Sequence, residues 1–157
     1  MSLIRMLVVL LLVVSVVPGR AGEAADASLD ILRDTLRVNK KAIVDVNLTL
    51  TDTEAAQFWP VYERYQNDLT AVNDRLLKVI DEYTTNFRTL TDARAMELIE
   101  EYLSVEEDRA KIRRRYLPEI AKVLPGRKVA RFYQIENKID VVLRYELAAQ
   151  IPVLDER

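Results

Sequence analysis

The sequence predicts an all-α protein of four helices, one of them very long and kinked. Three observations carry this. Only three glycines occur in 157 residues, and two of them, Gly19 and Gly22, fall within the first 24. Turn-rich β architecture draws heavily on glycine, so it is disfavoured. Apolar residues recur at steps of three and four over long stretches, the period of an amphipathic helix. Helix-start chemistry precedes those stretches at Thr51 and Thr91.

Residues 1–24 read as a secretory signal peptide, leaving 25–157 as a single helical domain. Arg5 precedes the apolar run Met6–Val17, and Pro18, Gly19 and small residues follow. The run is shorter than the roughly 20 residues needed to span a bilayer. Export without cysteines and without a later apolar span points to a periplasmic location, with no membrane span in the mature chain. Removing the leader takes away Arg5, Arg20 and Glu23 and leaves 21 basic and 24 acidic residues, a net charge of −3.

In the mature chain a first short helix begins at Ser28, with Leu29, Leu32, Leu36 and Ile43 as its apolar side, and Val44–Thr49 reads as extended or irregular. Thr51 and Glu54 then form a capping box, in which each side chain satisfies a free backbone N–H. Phe58, Val61, Tyr65, Leu69, Val72, Leu76, Val79, Tyr83 and Phe87 form one stripe. It predicts a helix from Asp52 to about Arg88, roughly 55 Å long. Pro60 lies inside it and predicts a kink. Thr91 caps a third helix over Asp92–Val123, with Met96, Ile99, Leu103, Ala110, Tyr116, Leu117, Ile120 and Leu124 as its inner side and Pro118 as a second kink. Leu124-Pro-Gly126 separates a fourth helix, about Arg127 to Gln150, whose stripe is Phe132, Ile135, Ile139, Val142, Tyr145 and Ala149. Short connections favour antiparallel neighbours. The stripe of the second helix exceeds what one short neighbour can cover, which is the reason to expect a homodimer. Leu50–Phe58 and Leu124–Phe132 form a weak repeat, each with Leu, a helix start, Ala at the sixth following position and Phe at the eighth.

Histidine and cysteine are both absent. Imidazole or thiolate metal sites and Ser-His or Cys-His nucleophiles are therefore excluded. Met96 is the only methionine after the leader, so a soft-metal site has no support. Glu97 with Glu101, or Glu100 with Glu107, could pair as carboxylates, but any long charged helix supplies such spacings, and no companion base is visible. The expectation is no enzyme, no cofactor and no metal. Charge is segregated: residues 92–108 hold seven acids against Arg94, and residues 111–131 hold eight bases against Glu119. Such blocks serve a solvated surface paired to neighbouring helices, a basic surface for anionic or unfolded partners, or complementary charge in an antiparallel dimer. Nucleic acid is not expected for an exported chain of negative net charge. Phe58, Trp59 and Tyr62 read either as core or as a contact surface.

Leu50-Thr51-Asp-Thr-Glu54 at the start of the long helix, and Leu124-Pro-Gly-Arg-Lys128 with Ala130-Arg-Phe132 at the start of the last, resemble the motifs of the periplasmic Spy/CpxP family, the proteins with LTxxQ motifs. The order of leader, short helix, motif, long helix, helix, motif and final helix agrees over roughly residues 28–150. Glu54 stands where the motif has Gln, and the second copy lacks its Thr and Gln, which resembles a divergent branch. The resemblance implies a thin, curved, cradle-shaped helical dimer that acts without ATP as a chaperone for unfolded periplasmic proteins, or as an adaptor in envelope-stress signalling. It would place clients on a basic face of Arg113, Arg114, Arg115, Lys122, Arg127, Lys128 and Arg131, with Phe58, Trp59 and Tyr62 as apolar contacts. The alternative expectation is a scaffold that docks one specific envelope partner without general chaperone activity.

Overall fold

The computed structural model describes residues 39–149 and 151–154. The leader and the Ser28 cap lie outside the described residues. Those described form four helices and no strand: α1 (39–47), α2 (Asp52–Asn86), α3 (Asp92–Val123) and α4 (Gly126–Ala148). The all-α architecture expected from glycine scarcity and periodicity is present.

Thr51 forms the expected capping box. Its backbone N–H donates to Glu54 Oε2 at 2.8 Å, and its hydroxyl accepts from the Glu54 N–H at 3.3 Å. α2 runs unbroken through Pro60 for 35 residues, about 50 Å. Thr91 caps α3 by accepting from the Arg94 N–H, and α3 is likewise continuous across Pro118.

The ion pairs fix the directions. Arg64 meets Glu119, Arg75 meets Asp108, and Glu82 meets Arg94, so α2 and α3 are antiparallel. Glu54 meets Lys128 and Gln66 meets Glu136, so α4 runs parallel to α2. Arg113 meets Asp140 and Glu106 meets Arg144, so α4 is antiparallel to α3. After α4, the Tyr83 hydroxyl donates to the Pro152 carbonyl at 2.6 Å and ties the C-terminal segment to α2.

The main core joins all four helices. Val44 and Leu48 pack with Phe58, Tyr62, Tyr65, Tyr116, Ile120, Leu124 and Phe132. A smaller cluster of Val72, Leu76 and Val105 lies farther along the α2–α3 hairpin. The two repeat segments meet in the main core: the rings of Phe58 and Phe132 stand edge to face, with centroids 5.3 Å apart.

Three expectations are corrected. Residues 44–47 are helical, because burial of Val44 and Leu48 against the aromatic cluster outweighs the weak helix propensity of β-branched and Asx residues. On α3, Met96, Ile99, Leu103, Ala110 and Leu117 are exposed, and the inner side is Leu98, Val105, Arg109, Tyr116 and Ile120. Tyr116 and Ile120 anchor the helix at the main core, and their phase carried back along α3 reaches Ile112, Arg109, Val105 and Leu98. On α4, Val142 and Tyr145 are exposed, whereas Glu136 and Asp140 are buried. The α2 stripe is itself buried from Phe58 to Val79 by neighbours within the chain, so it supplies no uncovered surface for a partner copy.

Candidate functional site

The sequence-predicted site residues fall into separate environments. Phe58 and Tyr62 are buried in the main core, packed against Phe132. Trp59 is half-buried at its edge, with the Lys41 ammonium 5.1 Å from its ring centre.

Arg113, Arg114 and Arg115 are adjacent in sequence but diverge in space, since successive helix residues are about 100° apart. Arg113 turns to Asp140 on α4. Arg115 turns to Asp68 on α2, which also accepts from the Tyr116 hydroxyl at 2.7 Å. Arg114 is exposed. Lys128 binds Glu54, and Arg131 Nε donates to the Asn47 carbonyl at 2.6 Å. Thus Lys128 and Arg131 hold the second motif segment against the first and against the end of α1. The Lys128 hydrogen bond, followed by that of the Thr51 backbone, holds the Glu54 carboxyl below its ordinary range. Arg114, Lys122 and Arg127 make no ion pair among the described residues. Of the motif residues, Leu50 packs against the main core and Leu124 is part of it.

Beneath α1 lies a polar interior that sequence periodicity did not reveal. Glu136 has no exposed surface; Lys40 Nζ lies 2.9 Å from its Oε2, and Gln66 Nε2 donates to it at 3.3 Å. Lys40 also reaches Asp140 at 3.5 Å, and Asp140 holds Arg113. The Tyr65 hydroxyl makes no hydrogen bond among the described residues. Burial, and then the Glu136 charge, push it well above the ordinary tyrosine range. Burial, the largest single effect, lowers Arg113, but the Asp140 charge together with Tyr65 and Glu136 outweighs it, and the guanidinium is held above its ordinary value. Arg109 is lowered, first by burial and then by the Arg144 charge. Lys40, Gln66, Glu136, Asp140 and Arg113 thus form one network of paired charges and hydrogen bonds that joins α1, α2, α3 and α4.

Two shallow surface depressions are present. One, of about 340 Å³, is lined by Arg75, Glu97, Glu100, Glu101 and Ser104. The other, of about 430 Å³, is lined by Arg127, Lys128, Ala130, Arg131 and Gln134. The second gathers three of the predicted basic residues. It opens onto an exposed face of α4 that continues through Lys138, Val141 and Tyr145, at steps of three and four. Tyr145 is 72 % exposed and Val141 57 %. This face is basic at its N-terminal end and apolar toward its C-terminal end. Sequence periodicity did not give this face, since it sets Tyr145 inward and Glu136 and Asp140 toward solvent; the burial of those two carboxylates turns the face outward.

Among the described residues no helix is long and apolar enough to cross a membrane, and no cluster of three or more His, Cys, Asp or Glu is placed to hold a metal ion. No family model, curated protein or solved structure matches the chain.

Proposed function

We propose that this chain is an exported, periplasmic helical binding protein that acts without ATP as a chaperone or envelope-stress adaptor. In this reading it captures unfolded or partner proteins on the outer face of α4. The observation that carries it is the continuous run of Arg127, Arg131, Gln134, Lys138, Val141 and Tyr145 on that exposed face. Cations attract acidic or partly unfolded chains over a Debye length of about 8 Å at physiological salt. Aromatic and aliphatic side chains beside them offer contact area to exposed apolar segments. The signal-like leader and the resemblance of residues 50–54 and 124–128 to LTxxQ motifs support the same reading.

The test is suppression of aggregation. Purified protein at near-stoichiometric ratio should keep several unrelated denatured clients in solution without nucleotide. The triple substitution Arg127→Glu, Lys138→Glu and Tyr145→Ser should abolish protection while leaving the unfolding midpoint unchanged, because all three side chains are exposed. Charge reversal at Arg113 is unsuitable for this purpose, since Arg113 pairs with a buried Asp140. Failure with every client would overturn the chaperone reading. A pull-down that then returned one dominant partner would establish the scaffold alternative.

A further inference from the structure

Among the described residues α1 is the one helix too short to stand by itself. It has nine residues, 39–47, and helices under about 12 residues are marginal in water without tertiary support. That support comes from one side. Val44 and Leu48 are wholly buried and Lys40 is mostly so, whereas Ala42, Asp45, Val46 and Thr49 face solvent, with Val46 82 % exposed. Lys40, Val44 and Leu48 stand at steps of four, so a single helix face enters the chain.

The seat of this face is a groove between α2 and α4. Its floor is aromatic, with Phe58, Tyr62 and Tyr65 from α2 and Phe132 from α4. Its end is anionic: Glu136 and Asp140 receive the Lys40 ammonium at 2.9 and 3.5 Å, and Asp140 shares its charge with Arg113. At the rim, Lys41 meets Glu63 at 2.6 Å and lies over Trp59, and Arg131 holds the Asn47 carbonyl. The Lys41 and Glu63 side chains are about half exposed, and such pairs contribute little. α1 therefore fills the groove as a ligand would. It is a short amphipathic helix held by two aliphatic anchors and one charge.

We propose that the groove beneath α1 is a second binding site. Its ligand is an amphipathic helix of another protein that carries Lys, then aliphatic residues at the fourth and eighth following positions. That helix takes the place of α1, which leaves the groove on its short link to α2. At rest α1 keeps the site closed, so the affinity is reduced by the fraction of chains in which α1 is out. The site uses the inner side of α4 and stands whether or not the outer face of α4 binds clients.

A fluorescein-labelled peptide copying residues 39–50 tests this, with binding read by anisotropy. It should bind the unmodified chain weakly, since the tethered α1 competes at an effective concentration on the order of millimolar. Val44→Ala in the chain weakens the seating of α1 and leaves the groove intact, so it should tighten binding about tenfold, equivalent to 1.4 kcal/mol. Lys41→Ala, which removes no core group, should act in the same direction with a smaller gain, and keeps the test open if Val44→Ala does not fold. Peptides carrying Lys40→Glu or Leu48→Ser should not bind. The chain has no cysteine, so Lys41→Cys with Glu63→Cys can be joined by a short bis-maleimide. That link fixes α1 in place and should abolish binding, while the same variant before cross-linking should bind at least as tightly as the unmodified chain. The triple variant of the outer α4 face should still bind the peptide, which separates this site from the chaperone reading. No binding to the folded Val44→Ala or Lys41→Ala chain at about a millimolar peptide overturns the proposal. So does binding indifferent to the cross-link or to the charge of the peptide's lysine. Loss of binding in the triple variant would overturn it too, and would give the peptide to the outer face of α4.

Discussion

Glu136 is the residue whose placement has the largest consequence. It sits at zero exposure on α4 with Lys40 from α1 and Gln66 from α2 around it. Burying a carboxylate is costly unless it is paired and hydrogen-bonded, and removing one partner leaves the whole penalty behind. Lys40→Met should therefore destabilise the protein by about 3 kcal/mol in urea unfolding. Tyr65→Phe should be close to neutral, within about 1 kcal/mol, because the buried hydroxyl it removes completes no hydrogen bond, and Arg113 beside it is held by Asp140. Equal losses for both would show that the polar interior is paired differently. Phe132, at the centre of the aromatic contacts, should cost about 3–5 kcal/mol as Phe132→Ala.

At the scale of the element, helix starts were the most legible feature, because capping is local chemistry. α2 and α3 begin after the threonines that the sequence marks, and the Thr51 box is complete. Thr51→Ala should cost about 1 kcal/mol. Thr91→Ala should cost less, since Arg94 occupies the position from which Glu54 reciprocates in α2. Which face of each helix turns inward was less legible. On α2 the apolar stripe is unique and its phase is unambiguous. On α3 there are two apolar rows, and the one of Met96, Ile99, Leu103, Ala110 and Leu117 lies outside. On α4 the inward row includes two carboxylates, which a periodicity argument assigns to solvent. In both cases the inward face is decided by where counter-charges lie on other helices.

At the scale of the whole molecule, ion pairs bridge the helices along their length. Lys128 holds Glu54 below the ordinary carboxylate range, Arg94 does so for Glu82, and Arg75 with Lys111 does so for Asp108. A carboxylate whose pKa is lowered by folding stabilises fully above its unfolded value. That contribution disappears as pH falls through the folded value. The urea midpoint should therefore stay level between about pH 7 and 5 and decline below about 4, near the unperturbed carboxylate pKa. Because these pairs are at the surface, 1 M salt should flatten the decline. A midpoint that rises on acidification would contradict the pairing. The charge blocks of α3 also have a different role at this scale from the one their sequence positions suggest. Asp108 and Arg115 are paired with α2, while Glu100 and Arg114 stay outward.

By itself the sequence determined the helical class, three of the helix starts and the α2 core row. These depend on glycine scarcity, caps and a 3.6-residue period, all of which act within a few residues. Only the tertiary structure decided that Arg113, at an inward-leaning position of its helix, meets Asp140, that Lys128 and Arg131 join the two motif segments, and that the apolar row of α3 faces outward. Those pairings depend on partners 27 to 84 residues away in the chain. A charge is placed by its counter-charge, and helical periodicity does not record where that counter-charge will be.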